Sequence, residues 1–134
     1  MYKNILVPVI QDHETTIASS MAAARVLCAE GGRITLLTVL AEIPTYVSQY
    51  LPQDQLQRNL TDAKEALEAE FAGQGVSVEV RAGHAAQTIL DVAEADAHDC
   101  IVIASHRPGL QDYFLGSTAA RVVRHAQCSV HVLR

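Results

Sequence analysis

In the last quarter of the chain, Ser105, His106, Arg107, Pro108 and Gly109 follow the short apolar run Cys100 to Ala104. Gly116, Ser117 and Thr118 then stand at the head of a second apolar segment of helical period. A strand that empties into such a loop and enters a helix through Gly-Ser-Thr has the construction of an anion site. The first turn of a helix presents N–H groups that lack intrahelical acceptors, and the positive end of the helix dipole lies there. A Gly-Ser pair at a helix start is in most proteins simply a cap, so spacing alone leaves both readings open.

Other chemistries find less support. Neither of the two lysines, Lys3 and Lys64, belongs to a GxxxxGK[ST] segment, and no GxGxxG follows a predicted strand, which excludes a P-loop nucleotidase. No Ser/His/Asp arrangement follows from the spacing, so acyl transfer carries little weight. His125, Cys128 and His131 make an H-x2-C-x2-H pattern. Crossing from a helix end into a strand scatters those side chains, and no metal is expected there.

The elements that must hold this loop are legible from periodicity. Lys3 to Val9 is a nearly continuous apolar run and reads as a strand covered on both faces. Asp12 can cap a helix in which Ile17, Ser20, Met21, Ala24, Leu27 and Cys28 fall on one stripe, with Gly31 and Gly32 as its stop. Arg33 to Leu40 is the second strand. Ala41 to Leu51 is the least regular segment. Its Pro44, Tyr46 and Tyr50 either close over a ligand or pack against the domain, and packing is the more ordinary outcome. Leu56, Leu60, Ala63, Leu67 and Phe71 mark the next helix, with Pro52 in its first turn and Gly73 to Gly75 ending it. Val76 to Arg81 alternates as an edge strand does. Gly83 opens a turn, and Ala86, Ile89, Leu90 and Ala93 form a third helical stripe. Cys100 to Ala104 is strand four, Ser117 to Ala126 helix four, and Ser129 to Leu133 a last alternating strand. The order βαβαβαβαβ, joined by right-handed crossovers, predicts a doubly covered, open five-stranded parallel α/β sheet of Rossmann-like type. Strand order 3-2-1-4-5 would place a ligand crevice beyond the strand C-termini, where Pro8 and Val9, the end of strand two near Val39, and Ala104 to Arg107 converge.

At 134 residues and 49% hydrophobic composition, one globular domain over residues 1–134 is expected. The formal net charge of -5 disfavours nonspecific binding to nucleic acid or to an anionic membrane. The longest apolar run, Ile5 to Ile10, is far short of a membrane span, and the expectation is a soluble cytoplasmic protein. Cys28, Cys100 and Cys128 are odd in number and read as buried reduced thiols.

From YKNILVPV through GHAAQTIL to ASHRPGLQDYFLGSTAARVVRHAQCSVHVLR, the whole chain resembles a universal stress protein of the adenine-nucleotide-binding type. That family's loop runs Gly, two residues, Gly, nine residues, Gly, then Ser or Thr. Here Ala104 and Arg107 stand at the first two glycine positions, Gly116 and Ser117 match the last pair, and the second spacing is shortened by one. The resemblance implies ATP as ligand, with Mg2+ at most as its companion ion. Gly116, Ser117 and Thr118 would hold the phosphates, and Gly109 would let the loop approach closely. Val39 would offer backbone atoms to adenine, with Pro8, Val9 and Gly83 on the crevice rim. Ser105, His106 and Arg107 would line the ribose and phosphate side. Arg107 can fork onto a phosphate or pair with Asp112. His106 is a hydrogen-bonding wall rather than a general base. The family's usual Asp after the Pro-hydrophobic pair is here Ile10, which removes an acceptor from the adenine side and adds apolar surface.

The reading that follows is a regulatory stress-response domain that binds ATP with slow or no hydrolysis. An alternative is a dimeric interaction module without nucleotide. A nucleotide hydrolase, at most a weak ATPase, ranks last because charge compensation on a leaving phosphate would rest on Arg107, a helix end and Asp12. The resemblance also implies a homodimer through the C-terminal strand, and a further, unidentified protein partner is compatible with the regulatory reading.

Overall fold

The structure is a computed structural model and describes residues 1–9, 14–105 and 115–134. Strand β1 (Tyr2–Val9) leads to helix α1 (Glu14–Leu27) and strand β2 (Cys28–Leu40). A short helix α2 (Thr45–Ser48) and helix α3 (Gln55–Glu70) precede strand β3 (Val76–Ala82). Helix α4 (Ala85–Ala95), strand β4 (Cys100–Ala104), helix α5 (Ser117–His125) and strand β5 (Ser129–Leu133) complete the chain. The five strands are parallel and lie in the order β3-β2-β1-β4-β5, the expected Rossmann-like arrangement.

Burial explains why β1 lies at the centre. Ile5, Leu6 and Val7 are all inaccessible, so both faces of the strand are covered and an unbroken apolar run is what the position requires. On one face Ile5, Val7, Val9, Leu36, Val78 and Val102 pack with Met21 and Ala24 of α1, and Leu67 and Phe71 at the end of α3 close over them. On the other face Leu6, Leu37, Ile101 and Ile103 meet Ala86, Ile89, Val92 and Ala93 of α4 and Ala119 and Val122 of α5. The edge strand β3 keeps its alternation, with Val78 buried and Ser77 and Arg81 exposed.

Three local expectations are corrected. Cys28 ends no helix: it opens β2, and Gly31 and Gly32 lie inside that strand rather than behind α1. The β1–β2 register jumps from Tyr2–Cys28 to Asn4–Arg33, so β2 bulges there. Gly31 has φ 76, and a Cβ on Gly32 would lie 2.7 Å from Cys28 Sγ and 2.9 Å from the Ala29 carbonyl oxygen. A pair of glycines read as a helix stop therefore serves a tight bulge instead.

Pro52 precedes α3 rather than occupying its first turn, and its carbonyl accepts the Gln55 N–H at 3.0 Å. The irregular segment contains α2, where the Pro44 carbonyl accepts the N–H groups of Val47 and Ser48, both at 2.9 Å. Tyr46 and Tyr50 do not pack on the domain; they are 71% and 84% exposed. The helix counted fourth in the sequence is accordingly α5, ending at His125 with Ala126 as its cap. Of the three thiols, which are all free, Cys100 is buried while Cys28 and Cys128 are only partly covered.

Candidate functional site

The C-terminal edge of the sheet opens between β1 and β4. Their paired residues are Ile5–Cys100 and Leu6–Ile101, whereas the β1–β2 ladder continues through Pro8–Leu37 to Val9–Thr38. Pro8 has no N–H to donate, and it falls where the β1–β4 ladder has ended. This is the point at which the chain order reverses, and a crevice belongs there.

Ser105 directly follows β4 at that edge. It is 4% exposed, its N–H donates to the Leu133 carbonyl at 2.8 Å, and its own carbonyl accepts the Gly116 N–H at 2.7 Å. One residue thus ties the tip of β4 both to β5 and to the head of α5. Gly116 is the N-cap, and its carbonyl accepts the Ala120 N–H at 2.8 Å, the first bond of the helix. The N–H groups of Ser117, Thr118 and Ala119 belong to the turn that a helix leaves without internal acceptors. Ala119 and Val122, both buried, anchor that turn against the sheet. Arg124 and His125 in the last turn suit the negative end of the same dipole.

Gly116 has a steric reason to be glycine. A Cβ there would lie 2.7 Å from the Ser105 carbonyl oxygen. A larger residue at this helix end therefore cannot leave the fold untouched, contrary to what its position at an element terminus suggests.

The strand alternation that buries Leu6, Leu37 and Ile103 against α4 and α5 puts Pro8, Val39 and Ser105 on that same face. Val9 points to the opposite face, among the side chains under α1. Gly83 lies just past β3 with φ +149, its N–H donating to the Leu40 carbonyl at 2.9 Å, and a Cβ on it would meet Thr88 Oγ1 at 2.9 Å. Pro8, Val9, Val39, Gly83, Ser105, Gly116, Ser117 and Thr118 all occupy the C-terminal edge of the sheet. His106, Arg107 and Gly109 lie outside the described residues, as do Ile10, Asp12 and Asp112.

One residue of this edge escapes sequence reasoning. Thr38 sits one position before Val39, is 4% exposed, and its Oγ1 has no hydrogen-bond partner among the described residues. Its signal in the sequence is a hydroxyl inside the apolar run Ile34 to Leu40, where a buried polar atom needs a partner.

The opposite edge is closed by an electrostatic clasp. Asp99 accepts the N–H groups of Lys3 at 2.8 Å and Asn4 at 3.0 Å, and its own N–H donates to the Asn4 carbonyl at 3.0 Å. Burial raises the Asp99 carboxyl, but these N–H donors and nearby His98 outweigh it and hold the group below its ordinary value. Burial, with Cys128 and Asp99 adding to it, pushes the Cys100 thiol up to about 11. Burial also raises Cys128. Both stay protonated at neutral pH, which suits packing and not nucleophilic chemistry. Among the described residues no three His, Cys, Asp or Glu side chains are grouped to hold a metal ion, and no helix is long and apolar enough to cross a membrane.

The sequence model of the universal stress protein family matches residues 1–134. This chain belongs to the universal stress protein family. Universal stress protein G of Escherichia coli O157:H7 is 28% identical over 142 residues, covering all of both chains. A universal stress protein of Thermus aquaticus is 28% identical over 138 residues, again covering all of both. Among solved structures, the universal stress protein UspA from Lactobacillus plantarum is similar with a TM-score of 0.77 and 26% identity over 99% of this chain and 98% of that one. Membership carries the general role of such domains, regulation in the stress response, and they are typically non-catalytic modules.

Proposed function

We propose that this domain is a regulatory module that binds an adenine nucleotide, ATP in the first instance, across the C-terminal edge of its sheet. The observation that carries the reading is the contact between Gly116 and Ser105, which seats the head of α5 directly on the end of β4. Phosphate oxygens would take the N–H groups of Ser117 and Thr118, and adenine would take the backbone of Val39 beside Pro8. The fit rests on chemistry that an anion needs: helix-start donors and a backbone with no side chain in the way. A universal stress protein crystallised with cAMP is 16% identical and shares the fold with a TM-score of 0.63. That complex supports an adenine nucleotide as a ligand this fold accommodates.

Arg107, His106 and Gly109 complete the phosphate and ribose side in this reading, with Mg2+ no more than a companion to the phosphates. Ile10 replaces an acceptor by apolar surface, so preference for ATP over GTP is modest and Ile10→Asp does not weaken binding. The domain works as a homodimer through β5, whose outer edge carries no strand in the sheet order.

A crystal grown with ATP tests the site. Phosphate oxygens within hydrogen-bond reach of the Ser117 or Thr118 N–H are the expected result; nucleotide bound elsewhere refutes the assignment. A protein that binds no nucleotide yet dimerises through β5 would instead be an interaction module.

A further inference from the structure

Strand β5 is five residues long and lies at the edge of the sheet, with β4 on its inner side. Its pairing with β4 fixes which peptide groups remain for a further strand. The Leu133 carbonyl accepts the Ser105 N–H at 2.8 Å, and the His131 N–H reaches the Cys100 thiol, so these residues turn their peptide groups toward β4. Peptide groups alternate along a strand, which leaves those of Val130 and Val132 facing outward.

Two copies of one strand that pair antiparallel about a two-fold axis set one residue opposite itself, because the axis is perpendicular to the sheet and i faces j wherever j faces i. Centred on His131, all five residues of β5 find a partner. Val130 then exchanges both backbone bonds with Val132 of the copy, and the converse pair repeats them. A centre at Val130 or Val132 leaves only one such pair inside the strand and carries the ladder into Cys128 or Arg134, beyond its ends. In the His131 register Val130 and Val132 also meet each other on the face that α4 and α5 cover. His131 opposite His131 is a pair without backbone bonds between its members, the arrangement that brings side chains closest, with Cα atoms about 4.5 Å apart.

We propose that His131 sits on the two-fold axis of the β5-paired dimer, ring beside ring with its own copy, and that protonation of this pair opens the dimer as pH falls. This switch rests on the homodimer reading above, to which it adds a register and a regulating ion, the proton. His131 is exposed in the single chain, and among the described residues no ion pair holds it. Its neighbours on the same face of β5, Ser129 and Leu133, carry no charge, and alternation sends Arg134 to the other face. From β4 it has Val102 in register and Cys100 two residues earlier, whose thiol at about 11 stays neutral. Asp99, just before β4, commits its carboxylate to the Lys3 and Asn4 N–H groups. The charged positions of α1, on this side of the sheet, are Glu14 and Arg25, and the Arg25 guanidinium donates to Gln74 beside the far edge strand β3. An imidazole takes up its proton between about pH 7 and pH 5, and like charges set directly opposite each other destabilise a strand pair.

Sedimentation of the parent chain at one ionic strength, near pH 7.5 and near pH 5.5 (about one unit either side of an ordinary imidazole value), tests the switch. A dimer whose dissociation constant rises at least about tenfold over that range is expected. His131→Gln should dimerise equally at both, and His131→Lys, charged throughout, should be weakened at both. Cross-linking tests the register: under mild oxidation His131→Cys should form a reducible dimer above the parent's background, whereas Ser129→Cys, whose copy lies roughly 14 Å away, should not. Both side chains are exposed, so the circular dichroism spectrum should be unchanged in each variant. A parent chain that is monomeric at the higher pH refutes the homodimer itself, and the switch with it. A dimer equally tight at both, a pH response that survives in His131→Gln, or cross-linking of His131→Cys no greater than that of Ser129→Cys overturns the proposal and leaves the homodimer standing.

Discussion

Gly116 concentrates the residue-scale argument, because its N–H and its missing side chain both face the Ser105 carbonyl. Gly116→Ala forces the start of α5 off the end of β4. The expected cost is about 1–3 kcal/mol of stability from the overpacked contact, read in a denaturant melt. Nucleotide affinity should fall at least about tenfold, or about 1.4 kcal/mol, read by calorimetry. Unchanged stability would show that the helix start tolerates a methyl group and that its placement is not fixed by this contact.

Asp99 supplies a second residue-scale prediction with a defined pH sign. Its carboxyl titrates below the ordinary value in the folded chain, so it contributes stability that is complete above the unfolded value and is lost as pH falls through the folded one. Asp99→Ala should cost about 1–3 kcal/mol at neutral pH, because two backbone donors lose a charged acceptor. It should also flatten the acid limb of the stability profile below about pH 4. An acid limb identical to that of the parent chain would contradict the clasp. Neither Gly116's close contact with the Ser105 carbonyl nor the burial of Thr38 without a hydrogen-bond partner among the described residues is visible in a sequence, because each depends on what the fold brings alongside it.

Elements were legible where the pattern of apolar residues is set by the sheet itself. The five residues of β4 and the five of β5 stand where their apolar runs placed them, and the strand order follows from crossovers that must be right-handed. The start of β2 was not legible. A Gly-Gly pair after a helical stripe normally ends the helix, and only pairing with Tyr2 and Asn4 turns that stretch into a bulged strand. The short α2 was hidden by its length, a single turn held by the Pro44 carbonyl and carrying no buried residue. At this scale the prediction concerns β5, in which Val130 and Val132 face the α4 and α5 side while Ser129 and His131 are exposed. Sedimentation at tens of micromolar should give a dimer. A monomer under those conditions would reject pairing through this edge.

Across the whole molecule, the two ends of the one sheet are built differently. The C-terminal edge gathers Pro8, Val39, Gly83, Ser105 and Gly116, and the N-terminal edge is closed by Asp99 and flanked by the α4–α5 groove. The head of α5 was readable as a motif, since Gly116 to Thr118 announce a helix start. The crevice itself is readable only through the strand order, which sets β4 beside β1 and sends the chain outward in opposite directions from that pair. The central claim is that this edge holds an adenine nucleotide, and calorimetric titration of the protein with ATP tests it most directly. The account predicts saturable heat with a Kd between micromolar and millimolar and a modest preference over GTP; a flat titration at millimolar ATP, from a protein whose mass under non-denaturing conditions shows no bound nucleotide, would contradict it.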